Sequence, residues 1–177
     1  MTPTRPSHTC ARAVTSSLGI VAMACGMSAR VPPDPSSRPP EVAIRAADTA
    51  SETVVVRTNV ERRRLGLPEL ARSNQLMHAA QLQADQMAAT LTMAHELPRV
   101  RYPTMDDRLS AVGYSYRAAG ENVAEGYPSA ASVVAGWMTS PGHRANIVSR
   151  NYFEMGGGVA TGKNGRRFWT QVFGTPR

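Results

Sequence analysis

Cysteine is almost absent from this chain. Its 177 residues include two cysteines, Cys10 and Cys25, and both lie near the amino terminus. Everything after residue 25 therefore folds without a disulfide, which a domain of this size can do with an ordinary hydrophobic core. The same absence excludes a cysteine nucleophile from the folded part of the chain.

Long apolar runs and lysine are scarce as well. No stretch approaches the roughly 20 apolar residues that a membrane-spanning helix needs. The formal charge of +7 is carried almost entirely by arginine, because Lys163 is the only lysine. The arginines form neither a basic face nor a nucleic-acid-reading motif, so nucleic-acid binding is disfavoured. Contact with anionic components of a cell envelope stays open.

The common hydrolase signatures are also missing. The sequence contains no Gly-x-Ser-x-Gly, no His-Glu-x-x-His and no phosphate-binding loop. Ser140 lies three residues before His143 and could be imagined as a nucleophile, but its place before Pro141 favours capping or turn formation. These absences favour a binding function over a catalytic one.

The amino-terminal segment has the features of an export signal. Residues 1–24 begin with basic residues and no acidic ones, continue with a mildly apolar stretch, and end in Ala22-Met23-Ala24. That order is typical of a secretory signal peptide. Cleavage after Ala24 would leave Cys25 first, as in a bacterial lipobox whose cysteine is acylated. Ala-Met-Ala equally suits ordinary signal peptidase, so a lipoprotein at the envelope and a freely secreted protein are both open.

The composition then changes twice. Residues 25–47 are rich in proline and poor in apolar residues, which predicts an extended tether rather than a packed unit. Periodic apolar residues begin near residue 48. We therefore expect a signal peptide at 1–24, a tether at 25–47 and one folded domain at 48–177.

Several helices are predicted within that domain. One covers residues 49–65 and ends before Gly66, and Ser73 caps a second that runs to about residue 90. Another follows Ser129, and the chain breaks at Pro141-Gly142. The apolar face of the second helix has helical spacing and consists of Leu76, Ala80, Ala84, Met87 and Leu91.

The carboxyl-terminal region predicts a β-hairpin. Asn164-Gly165 is a turn signal between two apolar runs. In the returning strand, Phe168 and Val172 share one face while Trp169 and Phe173 share the other. A strand with large apolar groups on both faces is covered on both. Helices before and between such strands predict an α/β protein built as a three-layer α-β-α sandwich.

Three residues form the candidate functional set: His95, Glu121 and His143. They are far apart in the sequence, so spacing alone cannot bring them together. Two imidazoles and a carboxylate could bind zinc or another divalent cation with an open position. They could equally hydrogen-bond to one another as a structural cluster.

The order of several motifs resembles that of bacterial CAP-superfamily domains, the superfamily of cysteine-rich secretory proteins, venom antigens and plant pathogenesis-related proteins. The most specific motif is the segment 137–147, which reads WMTSPGHRANI. The resemblance extends over about residues 50–174. The matching segments are, in chain order, 59–62, 66–70, 93–95, 108 with 113–114, 120–126, 137–147, 158–159 and 168–174.

The resemblance implies a sandwich with a mainly antiparallel sheet and a central groove in which His95, Glu121 and His143 converge. Asn122 and Ser140 would also belong to that groove. Eukaryotic members usually carry a second acidic residue where this chain has Ser140. With one anionic ligand fewer, the affinity for a divalent cation should fall.

Shared family membership does not fix a function, because one fold hosts many. Our leading hypothesis is an exported, envelope-anchored binding module for a lipid, an apolar small molecule or a peptide. The alternative is a metal-dependent hydrolase that uses His95, Glu121 and His143 around a zinc ion. A structural or adhesive role in the envelope is a third possibility.

Overall fold

The computed structural model describes residues 41–177, with side chains from residue 49 onward. The predicted signal peptide, Cys25 and the first part of the predicted tether lie outside these residues. Within the described part, no helix is both long and apolar enough to cross a membrane. The elements, in chain order, are α1 (Glu41–Arg64), β1 (Ala71–Arg72), α2 (Asn74–Thr90), α3 (Met105–Ala111), β2 (Tyr116–Glu125), α4 (Ala130–Thr139), α5 (Pro141–Val148), β3 (Glu154–Thr161) and β4 (Arg167–Pro176).

Helix α1 begins earlier than the sequence predicted. It starts at Glu41, so residues 41–47 are helical although they were assigned to the tether. The proline-rich composition in fact ends at Pro40, and proline is tolerated only before or in the first turn of a helix. The predicted end is confirmed, since the helix stops at Arg64 and Gly66 has a φ of +66°. A left-handed backbone at that position favours glycine.

The four strands form one sheet in the order β1-β3-β4-β2. The pair β1–β3 is parallel, and the pairs β3–β4 and β4–β2 are antiparallel, so the predicted mainly antiparallel sheet is confirmed. Strands β3 and β4 form the predicted hairpin, with Gly165 at a φ of +78° in its turn. Strand β1 was not predicted, because two residues carry no periodic signal of their own.

Strand β4 is buried on both faces, as predicted. Phe168 and Val172 pack with apolar residues of α2. Trp169 and Phe173 point the other way and join a cluster with residues of α1 and α4. The sheet therefore lies between two helical layers, which confirms the α-β-α sandwich.

Three consecutive glycines in β3 allow both helical layers to approach the sheet. A Cβ atom on Gly156 would lie 2.2 Å from the backbone of Leu76 in α2, and one on Gly157 would lie 2.6 Å from the carbonyl oxygen of Ser51 in α1. Gly158 faces α2 again, at 2.4 Å from the backbone of Ala80. Because successive strand residues point to opposite faces, the alternation places α1 and α2 on opposite sides of the sheet.

The outer edge of β2 is closed by side chains from the segment that follows it. The carbonyl oxygens of residues 119, 121 and 123 accept hydrogen bonds from Tyr152, Asn146 and Trp137, at 3.3, 3.2 and 3.3 Å respectively. These contacts occupy backbone groups that an exposed edge strand would leave free for another chain. They also fix α4 and α5 against the strand that carries Glu121.

The chain breaks one residue earlier than predicted, at Ser140 and not at Pro141-Gly142. Pro141 is instead the first residue of α5, and His143 lies in the first turn of that helix. Proline suits a first helical position because the N–H that it lacks would have no partner there. Ser140 therefore separates the two helices, and Pro141 starts α5.

Candidate functional site

The centre of the candidate site is a buried ion pair beneath an exposed histidine. Glu121 Oε2 accepts a hydrogen bond from Arg108 Nη2 at 2.7 Å, and Glu121 Oε1 lies 3.0 Å from His95 Nδ1. The Arg108 side chain is 0% exposed, that of Glu121 4% and that of His95 57%. Both carboxylate oxygens of Glu121 therefore have a partner: the buried Arg108 on one oxygen and the solvent-exposed His95 on the other.

The protonation of His95 follows from this arrangement. Because a carboxylate only accepts hydrogen bonds, Nδ1 carries the proton, and no described residue bonds to Nε2. The hydrogen bond with Glu121 raises the pKa of His95 above its ordinary value, against the opposing effects of partial burial and the positive charge of Arg108. The charge of Glu96 acts in the same direction as that of Glu121.

The loop that carries His95 is held by its backbone. Gln83 Nε2 donates to the carbonyl oxygens of Ala94 and His95, at 2.6 and 3.3 Å, and Arg108 Nη2 reaches the latter at 3.4 Å. Gln83 is fully buried on α2, and Arg108 is fully buried on α3. The sequence pattern did not identify Gln83 as a site residue. Arg108 was noted only as part of the resemblance to CAP-superfamily domains.

His143 is held by a second set of contacts. Its Nδ1 lies 3.0 Å from Ser140 Oγ, and its carbonyl oxygen accepts from Asn122 Nδ2 at 3.1 Å. Burial lowers the pKa of His143, and the positive charge of His95 lowers it further. No hydrogen bond among the described residues joins the two imidazoles. Ser140 occupies the capping position before α5, but its hydroxyl faces His143 and does not cap the helix.

Asn122 is buried beneath the site and does not face a groove. It is 0% exposed, and its amide also bonds to Gln171 Oε1 at 2.9 Å and to Asn146 Nδ2 at 2.9 Å. Its predicted place among the groove residues is therefore corrected: a fully buried amide cannot contact a ligand. Asn122 instead connects β2 and β4 to α5 and fixes the backbone of His143.

The predicted metal ligands do not assemble into a metal site. Within residues 41–177, no group of three or more His, Cys, Asp or Glu side chains is placed to hold a metal ion. Both oxygens of Glu121 are already engaged, one by the buried Arg108 guanidinium and the other by His95, so neither is free for a metal ion. His95 and Glu121 are hydrogen-bonded to each other, whereas His143 bonds to Ser140 and to neither of them, so the described residues show only part of the hydrogen-bonded cluster that was the other interpretation.

Comparison with known proteins gives a consistent set of similarities. The sequence model of the cysteine-rich secretory protein family, CAP, matches residues 55–173. An uncharacterised Bacillus subtilis protein, YkwD, is 35% identical over 120 residues, which are 68% of this chain and 45% of the relative.

Two solved structures share the fold. The first is an extracellular protein with an SCP domain from Bacillus anthracis, with a TM-score of 0.68 and 26% identity over 77% of this chain and 44% of that one. The second is an outer surface protein from Borrelia burgdorferi, with a TM-score of 0.64 and 21% identity over 71% of this chain and 92% of that one. This chain spans less than half the length of either Bacillus relative.

Proposed function

Because the chain belongs to the cysteine-rich secretory protein (CAP) family, we propose that it is an exported protein that binds a ligand at His95 without converting it. The observation that carries this proposal is the double engagement of Glu121, whose two oxygens bond to Arg108 and His95. A carboxylate that holds a buried guanidinium is poorly placed to accept a proton from water or substrate. It serves instead to orient an exposed imidazole and to raise its pKa.

The ligand that suits this imidazole has an oxygen acceptor and an apolar portion. A protonated His95 directs its Nε2–H outward, where it can donate to a carboxylate or carbonyl oxygen. Met93, two residues earlier in the same loop, is 45% exposed and offers apolar contact. A lipid, an apolar small molecule or a peptide can supply both features, and a fatty acid is the simplest probe of them.

Export is the second part of the proposal. The similar proteins described as extracellular or outer-surface support it, as does the signal-peptide pattern at residues 1–24. Acylation of Cys25 would anchor the domain to the envelope. We expect mass spectrometry of the mature protein to find an acylated Cys25 at its amino terminus. An unmodified terminus after signal cleavage would indicate free secretion, and an uncleaved chain would contradict export through this signal.

Ligand binding is tested with a fluorescent long-chain fatty acid and its methyl ester. We expect the acid to bind more tightly, and His95→Ala to weaken its binding about tenfold or more, because a hydrogen bond to a charged group is lost. Binding should be strong below the raised pKa of His95 and should weaken as the pH rises through that value, since the donor then loses its charge. Fluorescence titrations at several pH values measure both effects.

His78→Ala is the matched control, because His78 is an exposed histidine on α2 outside the site. It should leave the binding of the fatty acid unchanged. Equal affinity for acid and ester, or equal effects of the two histidine substitutions, would contradict the proposed recognition. Sustained hydrolysis of the ester, with or without added zinc, that His143→Ala abolishes would replace the binding function with an enzymatic one.

A further inference from the structure

The outer edge of β3 carries a repeating pattern of backbone contacts. Across the hairpin, the N–H of Gly162 donates to the carbonyl oxygen of Arg166, so even-numbered residues of β3 direct their backbone groups towards β4. Odd-numbered residues direct theirs away from β4. At Met155 the outward carbonyl oxygen accepts from Ser73 N–H, next to the short strand β1.

Beyond β1, side chains of α2 contact the outward backbone groups of β3. The N–H of Gly157 contacts Met77 Sδ at 3.1 Å. Val159 exchanges two hydrogen bonds with the amide of Gln81, at 2.9 and 3.2 Å. Four residues rise about 6 Å along a helix, and two residues extend about 6.6 Å along a strand. Every fourth residue of α2 therefore lies beside every second residue of β3.

The series ends at Thr161. The next α2 residue in step is Asp85, but no hydrogen bond from the described residues reaches the outward N–H or C=O of Thr161. An open cleft of about 400 Å³ lies between them. Its lining consists of Asp85, Ala88, Ala89, Ala160, Thr161 and Lys163.

The cleft combines three kinds of recognition group. Thr161 offers an unpaired backbone donor and acceptor at a sheet edge, which is where extended peptides add to a sheet. Three alanine methyl groups provide a shallow apolar floor. Asp85 Oδ1 accepts from Gln81 at 2.8 Å, which orients the carboxylate, and the ammonium group of Lys163 forms no ion pair within residues 49–177.

We propose that this cleft is a second binding site, distinct from His95, that takes a short peptide in an extended conformation. The peptide main chain pairs with Thr161 as one more residue of strand. Its ammonium group pairs with Asp85, and its carboxylate pairs with Lys163. The small side chains of Ala88, Ala89 and Ala160 leave room for the side chains of the peptide.

The test is a titration of the full chain with trialanine, followed by backbone amide NMR. We expect the amide signals of Ala160, Thr161 and Lys163 to shift at millimolar peptide. Trialanine that is acetylated and amidated at its ends should bind about fivefold more weakly or worse, because both ion pairs are lost. Asp85→Asn should weaken free trialanine and leave the capped peptide unaffected.

Glu52→Gln is the matched control, because Glu52 is a partly exposed carboxylate on α1 that pairs with Arg72. It should leave the titration unchanged. Absence of shifts at Thr161, or equal affinity for free and capped trialanine, would overturn the proposal. Shifts confined to the His95 loop would assign the peptide to the first site, which also overturns it.

Discussion

Replacement of Arg108 with methionine is expected to lower the free energy of unfolding by about 3 kcal/mol or more. Methionine fills much of the same volume but leaves Glu121 Oε2 buried without its cation, while Oε1 keeps only the exposed His95. The cost of a buried, unpaired charge exceeds the net contribution of the pair itself, because the remaining carboxylate has lost its hydration. Urea denaturation followed by the fluorescence of Trp137 and Trp169 measures the change.

Arg63→Met provides the comparison. Arg63 also pairs with a glutamate, Glu69, but the two side chains are 53% and 52% exposed. An exposed pair of this kind contributes less than about 1 kcal/mol. The double substitution Arg108→Met/Glu121→Gln should recover part of the stability that Arg108→Met loses. If Arg108→Met is no more harmful than Arg63→Met, the buried ion pair contributes no more to stability than an exposed one.

The ion pair between Arg108 and Glu121 illustrates which features of the site could be predicted from the sequence and which could not. His95, Glu121 and His143 were identified because their motifs resemble a known family, not because their spacing required proximity. The same motifs suggested zinc, since two histidines and a carboxylate are a common ligand set. The feature of the structure that argues against this ligand set is the buried partner of Glu121, Arg108. A buried arginine on a short helix has no periodic signal that distinguishes it from the exposed arginines of the chain.

The fold was more predictable because its signals are local and repetitive. The alternation of Phe168, Trp169, Val172 and Phe173 indicated a strand covered on both faces, and the apolar face of α2 is buried as expected. The errors occurred where structure depends on a distant partner. The two residues of β1 pair with β3, and Asn146 and Tyr152 hold the segment that begins at Pro141 against β2.

Gly156→Ala is expected to be as destabilising as the loss of Arg108, at about 3 kcal/mol or more. The added Cβ would lie 2.2 Å from the backbone of both Leu76 and Met77, and a helix backbone cannot rotate away as a side chain can. Helix α2 would have to move from the sheet as a unit. Chemical denaturation measures the loss, and the NMR signals of α2 report the displacement.

Gly142→Ala is the control, because a Cβ there meets nothing within 4 Å and the residue lies in α5. The free energy of unfolding of the Gly142→Ala variant should be unchanged or higher by up to about 1 kcal/mol, since alanine loses less backbone freedom than glycine in a helix. Unchanged stability in Gly156→Ala would mean that α2 can shift without cost.

The displacement of α2 also links this glycine to the ligand. Gln83 on α2 binds the carbonyl oxygens of Ala94 and His95, so a helix that moves from the sheet carries the His95 loop with it. Gly156→Ala should therefore weaken fatty-acid binding even in the fraction that remains folded. The close packing of α2 on β3 thus matters for the site as well as the core, because it sets the distance between His95 and the carboxylate that raises its pKa.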